Sequence, residues 1–138
     1  MSPHRQAGMS MVEVVVVAAL IALLSAIAAT TIMSQLPSMR LSAAARRVMT
    51  DLMQARMEAV KKSEDVSVTF SASGYTISGK AATNIPSEYK GITIAGYSAP
   101  SVSFRSTGTA STALLVTVGG SAGSRQVEVS AAGRVRIR

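Results

Sequence analysis

One uncharged apolar segment near the N-terminus constrains this chain more than any other feature. Twenty consecutive residues, Val14 to Met33 (VVVVAALIALLSAIAATTIM), contain no charged side chain. At about 1.5 Å per residue, a helix of this length spans the roughly 30 Å hydrocarbon core of a bilayer. The segment therefore predicts a membrane helix.

The remainder of the 138-residue chain is too short for more than one hydrophobic core. Residues 1–8 are polar and basic and are interpreted as a leader. We expect a transmembrane helix over residues 9–36, an amphipathic helix over 37–62 and a β-rich globular head over 63–138. Pro37 is expected either to kink a single long helix or to begin a second one.

The amphipathic helix is predicted from apolar residues that recur every three or four positions. They are Leu41, Ala45, Val48, Leu52, Ala55 and Ala59, with Met49, Met53 and Met57 widening the stripe. The opposite face is expected to be solvated, with i,i+4 ion pairs Arg47–Asp51 and Glu58–Lys62.

After Lys62 the apolar period changes to two, which indicates β-strands. The predicted strands are 66–70, 75–78, 91–95, 102–105, 114–118, 126–130 and 134–138, and residues 79–90 are predicted to be a surface loop. GGSAGS, at 119–124, is predicted to be a hairpin tip. One long helix followed by short strands predicts an α+β fold, with the helix packed on an antiparallel sheet.

Composition excludes several classes of function. The chain has no cysteine, so it offers no disulfide and no thiol nucleophile. Its single histidine, His4, lies in the predicted leader, so the rest of the chain offers no His-based catalytic or metal site. We expect no enzyme activity, no cofactor and no metal. Its net charge of +7 favours an acidic partner, such as nucleic acid, anionic lipid or an acidic protein face.

The residues directly before the apolar run, Gly8-Met-Ser-Met-Val-Glu13, resemble a type IV prepilin leader. The resemblance implies that a prepilin peptidase cuts after Gly8 and that the new N-terminal residue, Met9, is methylated. Met9 stands where the family usually has an aromatic residue, and it keeps that position apolar.

Glu13 needs a compensating charge, because an ionised carboxylate at the N-terminal end of an apolar membrane helix is energetically costly. Cleavage after Gly8 would create an α-amine on Met9, four residues upstream and on the same helix face. The pilin resemblance implies that this pairing joins neighbouring subunits in the filament core. The alternative is that Glu13 merely lies among lipid headgroups.

Two other fates of the N-terminus remain open. Signal peptidase cleavage after Ala26-Ile27-Ala28 would release a domain that begins at Ala29. An uncleaved anchor would follow the positive-inside rule, and the arginines beyond the segment would then place the head in the cytoplasm. We favour the prepilin interpretation, with the helix in the bacterial inner membrane and the head in the periplasm.

The segment DLMQARMEAVKKSEDVSV, with Arg56 and Glu58, and the terminal Gly133-Arg-Val-Arg136 are similar to the GspH/FimT family of minor pilins and pseudopilins. Arg56 and Glu58 are interpreted as surface helix positions. The resemblance implies the type IV pilin fold and a low-copy subunit that assembles with other pilins. The alternative to a pilus subunit is a pseudopilin of a type II secretion system.

The C-terminal tail alternates basic and apolar residues. A strand places Arg134, Arg136 and Arg138 on one face and Val135 and Ile137 on the other. Guanidinium groups suit phosphate oxygens, and the tail resembles the Gly-Arg-x-Arg motif that some FimT-like pilins use in capturing DNA. Gly133 and the arginines thus form a candidate site for double-stranded DNA. The alternative is an edge strand protected from aggregation by charge.

Overall fold

A computed structural model describes residues 10–138, except for the side chains of residues 28–31. One helix, α1 (Met11–Lys62), occupies the first part of the chain and continues through Pro37. Pro37 therefore does not begin a new helix. Backbone contacts divide the chain into two units, one ending at Leu36 and one spanning Pro37–Arg138.

In the first unit, the large apolar side chains of α1 are exposed. Met11 is 84% exposed, and Val12, Leu24 and Ile27 are 70%, 68% and 66% exposed. Within residues 10–138, no single helix meets the length and hydropathy criteria for a membrane span. The two parts of α1 on either side of a bend, Met11–Ile27 and Ile32–Lys62, meet these criteria when they are taken together.

In the second unit, α1 buries the face that its periodicity predicts. The six stripe residues are all buried: Leu41, Ala45, Val48, Leu52, Ala55 and Ala59. Met49 and Met53 pack against this core, as predicted, whereas Met57 is 64% exposed. The prediction that Met57 widens the buried stripe is therefore wrong.

Eight strands form the head. They are β1 (Val66–Ser71), β2 (Gly74–Ile77), β3 (Thr83–Asn84), β4 (Ile92–Tyr97), β5 (Ser101–Phe104), β6 (Leu114–Gly120), β7 (Gly123–Val129) and β8 (Val135–Ile137). The seven predicted strands are all present, with ends that differ by up to three residues. The hairpin predicted at 119–124 is also present, since β6 and β7 pair up to Gly120 and Gly123.

The strands form two antiparallel sheets rather than the single sheet that we expected. Their orders are β3-β2-β1-β5 and β4-β6-β7-β8. Pairing between strands far apart in sequence decides this division, and strand periodicity carries no information about it. The core lies between α1 and both sheets and includes Phe104, Val116 and Val127. The α+β fold, a long N-terminal helix followed by antiparallel β-structure, is confirmed.

The segment predicted to be a surface loop, residues 79–90, contains secondary structure. It holds β3 and a short helix, α2 (Ile85–Glu88), whose N-cap Asn84 accepts a hydrogen bond from the Ser87 N–H. Ile85 is fully buried. A single apolar anchor and a cap are too short to produce a period, so the loop prediction was wrong here.

Candidate functional site

The predicted processing and assembly residues lie at the N-terminal end of the chain. Gly8 and Met9 fall outside the described residues. Glu13 lies in the first turn of α1 and is exposed. An acidic side chain there is favoured by the helix dipole, whose positive end is at the N-terminus.

The C-terminal tail forms β8, which is the last strand of its sheet and, within residues 10–138, pairs only with β7. Its side chains alternate as predicted. Arg134, Arg136 and Arg138 are exposed, Val135 is buried and Ile137 is half-buried. The tail thus presents three arginines on the outer face of an edge strand, a placement that fits both an anion site and edge protection.

Glu128 on β7 lies opposite Arg136 and partly neutralises this arginine face. The Nε and Nη2 groups of Arg136 both donate to Glu128 Oε2, at 3.0 and 2.9 Å. Arg138 Nη1 lies 4.0 Å from the same oxygen. A charge-assisted contact of this kind is what a phosphate oxygen would also make. The carboxylate therefore occupies part of the surface that a phosphate would need.

Gly133 has a structural role at the entry to the tail. Its φ is +76°, and a Cβ at this position would collide with the carbonyl oxygen of Gly108. Arg56 Nε donates to that same oxygen at 2.9 Å. Arg56, Gly108 and Gly133 thus pack together and fix where β8 begins. Gly133 is buried, so it positions the arginines and does not itself present a surface.

The sequence predicts a surface position for Arg56, and the structure corrects this prediction. The side chain is half-buried, and its hydrogen-bond acceptor is 52 residues away in the chain. Helical periodicity shows which face a residue occupies but not that a distant loop lies over it.

Asp51 also departs from prediction. The sequence predicts Asp51 on the solvated face, but it is only 6% exposed. Its Oδ2 accepts a hydrogen bond from the Tyr75 hydroxyl at 2.6 Å and lies 3.2 Å from Arg47 Nε. Burial, and then the hydrogen bond to Asp51, raise the pKa of Tyr75 well above its usual range. The Asp51 carboxylate raises the pKa of Arg47. This cluster ties α1 to β2.

Glu58 links α1 to the segment after β2. Its two carboxylate oxygens lie 2.8 Å from Lys62 Nζ and 3.0 Å from Lys80 Nζ. The predicted Glu58–Lys62 and Arg47–Asp51 pairs are therefore both present. Hydrogen bonds from the two lysines, Lys62 first, lower the pKa of Glu58 to about 2.

We predict that the Glu58 carboxyl group titrates near pH 2 in the folded head, below its ordinary value of 4.5. Because the folded-state pKa is lowered, the stabilisation by this group is present above about pH 4.5 and is lost as the pH falls towards 2. The check is an NMR titration of the side-chain carboxyl carbon. Lys80→Ala should move the midpoint upward, and a midpoint near 4.5 in the unsubstituted chain would contradict the lysine contacts.

Comparison with known proteins agrees with this arrangement of elements. The Prokaryotic N-terminal methylation motif matches residues 3–29, and the family described as Type II transport protein GspH matches residues 44–133. Comparison with curated proteins gave no significant match.

Solved structures of two proteins share the fold. The type IV minor pilin FimU of Pseudomonas aeruginosa has a TM-score of 0.56 at 23% identity, covering 71% of this chain and 87% of FimU. A second crystal form of FimU gives 0.54 at 22% identity, covering 71% and 92%. The minor pseudopilin EpsH, from the Type 2 Secretion System of Vibrio cholerae, gives 0.58 at 14% identity, covering 72% and 96%. Because the GspH match spans well over half of the sequence, the chain belongs to the GspH family of minor pilins and pseudopilins.

Proposed function

We propose that this chain is a minor type IV pilin, cut after Gly8 by a prepilin peptidase, methylated on Met9 and inserted at low copy into a pilus. One observation carries the proposal: the methylation motif at residues 3–29 includes the start of the apolar segment, and the same chain continues into the GspH match at residues 44–133. The role is structural and requires no cofactor or catalysis.

The exposed apolar side chains between Met11 and Leu36 support the assembly part of the proposal. So many adjacent apolar residues need an apolar environment, and a bilayer or a bundle of similar helices supplies one. We infer that the segment lies first in the bacterial inner membrane, with the head in the periplasm, and then among neighbouring pilin helices in the filament. Glu13 pairs there with the Met9 amine of a neighbouring subunit.

Filament incorporation tests this role for Glu13. In cells lacking the native gene, Glu13→Gln should reduce the amount of the chain in sheared filaments at least tenfold, because the amide cannot neutralise an α-amine. The amount in the membrane should not change. Glu64→Gln is the matched control, since Glu64 is an exposed residue beyond α1. Equal incorporation of both variants would contradict the role.

The alternative assembly is the pseudopilus of a type II secretion system. The GspH description and the likeness to EpsH favour it, whereas the likeness to FimU favours a pilus. Deleting the gene separates the two possibilities. A pilus subunit should be needed for piliation and twitching, while a pseudopilin should be needed for exoprotein release, with piliation intact.

A second candidate function is DNA binding by the tail, which the exposed arginine face favours. Three phosphate contacts would give weak binding without sequence preference, with affinity falling by roughly 0.9 log units per contact for each log unit of salt. Duplex DNA captured in this way could be carried inward by a retracting pilus.

The Glu128 contact gives this candidate a specific test. We predict that Glu128→Gln strengthens duplex binding several-fold and steepens the salt dependence by about one phosphate contact, because Arg136 is released. Changing Arg134, Arg136 and Arg138 together to Ala should abolish binding. Arg105→Ala with Lys90→Ala removes exposed positive charge elsewhere and serves as the control. No binding to the unsubstituted head at low salt would leave the arginines as edge protection.

A further inference from the structure

We propose that the free edge of β8 and an apolar groove beside it bind an extended segment of a partner protein in which apolar and acidic side chains alternate. The site shares the arginine face with the DNA candidate, but it also uses the strand edge and the groove, and it goes beyond filament membership. It rests on three features that coincide at one place: unpaired strand backbone, an apolar groove and a row of cations.

Among the described residues, no strand pairs with one side of the β8 backbone. The Arg138 N–H donates to the Gln126 carbonyl oxygen, and the Ser130 N–H donates to the Arg134 carbonyl oxygen. Arg136 lies opposite Glu128, midway between these two bonded pairs. The three arginines are therefore the tail residues whose backbone groups bond to β7. In an antiparallel ladder the alternate residues point the other way. The N–H and C=O groups of Val135 and Ile137 therefore face the open edge, where a further strand can pair with them.

The groove runs beside this edge, between β8 and α1. It encloses about 530 Å³ and is lined by Met53, Met57, Val60 and Val135, with Arg56, Lys61 and Arg134 also contributing. Met57 is 64% exposed and Val60 49% exposed, so two apolar side chains of the head face solvent here.

Edge and groove suit the same occupant. A strand added to β8 would lie about 4.8 Å beyond it, and its successive side chains would point to opposite faces. Those on the helix side would enter the groove between Val135 and Met57, so they should be apolar. Those on the other side would lie beside the arginine face. Main-chain hydrogen bonds would supply affinity and the alternate side chains would supply specificity.

Charge indicates that the outer side chains of the occupant are acidic. Glu128 is the carboxylate near Arg136 and Arg138, so the face keeps an excess of positive charge. A second copy of β8 would bring its own three arginines against this face, and like charges opposite one another are destabilising. The occupant is therefore an acidic segment of a different protein, not another copy of this strand.

The test uses residues 37–138, which comprise the β-rich head and the part of α1 that packs on it. All the core residues lie between Leu41 and Val135, so this segment contains its own complete core. The probe is a short, end-capped synthetic peptide of alternating glutamate and valine. We expect saturable binding, with new hydrogen-exchange protection at the Val135 and Ile137 amides. The Arg136 amide, already bonded to β7, should change little.

Two control peptides separate strand addition from simple attraction. A peptide of the same composition with its valines grouped together should bind at least tenfold more weakly, and one with lysine in place of glutamate should not bind. Equal binding by the grouped peptide would overturn the proposal, because charge alone would then explain it. Concentration-dependent protection of the same amides without peptide would overturn it in favour of a second copy.

Substitutions at the edge test the backbone contribution. Ile137→Pro removes an N–H that faces the open edge, so the ladder to β7 should survive. Because Ile137 packs against the core, the variant should lose some thermal stability but remain folded. Peptide affinity should fall at least tenfold. Ile137→Val keeps the N–H and should bind normally. Unchanged affinity in a folded Ile137→Pro head would overturn the proposal.

A second pair of variants tests the groove without touching the sheet. Met57→Glu places a carboxylate at the groove, where it should repel the acidic peptide and weaken binding at least tenfold. Met39→Glu makes the same change at an exposed methionine of α1 that does not line the groove. Equal affinities of these two variants would show that the groove is not used and would contradict the proposal.

Discussion

Gly133→Ala should be among the most destabilising single substitutions in the head, costing about 3–5 kcal/mol of unfolding free energy. Two effects add. Alanine at φ +76° is strained by about 1–2 kcal/mol, and the new Cβ would overlap the carbonyl oxygen of Gly108. That oxygen is backbone and is already bonded to Arg56 Nε, so it has little freedom to move.

Gly79→Ala is the matched control for this prediction. Gly79 has φ +79°, but a Cβ there would meet nothing within 4 Å. It should cost only the backbone strain, about 1–2 kcal/mol. Urea unfolding of the head measures both variants. If the two substitutions cost the same, the close contact between Gly133 and Gly108 is not a significant constraint on the fold.

The same substitution bears on the basic tail. Gly133→Ala removes no arginine, yet it should displace the start of β8 and so disturb the arrangement of the arginine face. A loss of DNA binding in this variant would therefore report on the position of the strand. The arginine substitutions and Glu128→Gln are the variants that test contact with phosphate.

Asp51→Ala should cost about 3 kcal/mol. It removes the buried acceptor of the Tyr75 hydroxyl and the partner of Arg47 and leaves a cavity against the core. Arg47→Ala should cost about 1 kcal/mol or less, because Arg47 is 46% exposed and solvent screens its pair.

A double-mutant cycle with Tyr75→Phe isolates the buried hydrogen bond. Each single substitution leaves a partner unsatisfied, so the double variant should be less destabilised than the sum of the two, by about 1–3 kcal/mol. Exact additivity would mean that the hydroxyl and the carboxylate do not interact. Far-ultraviolet circular dichroism should show the same helix content in every variant that remains folded.

The sequence predicted those parts of the fold that depend on local period. The buried stripe from Leu41 to Ala59 follows from apolar residues spaced three or four positions apart, and the seven strand positions follow from a period of two. The alternation along β8, with its arginines on one face, was predicted in the same way. Each of these features is set by residues within a few positions of one another.

The features that sequence missed depend on distant partners. Asp51 is buried because Tyr75 supplies a hydroxyl from 24 residues away, and Arg56 is held by a carbonyl 52 residues away. The division into two sheets likewise depends on which strands pair. The Glu128–Arg136 contact was also missed, since it requires the register of β7 against β8.

The intact mass of the chain recovered from sheared filaments distinguishes the three possible fates of its N-terminus. We expect a single species that lacks residues 1–8, begins at Met9 and carries one added methyl group on its α-amine. A chain that begins at Ala29 would mean signal-peptidase release, and a chain that retains Met1 would mean an uncleaved anchor. Either result would contradict the proposal that this protein is processed and assembled as a pilin.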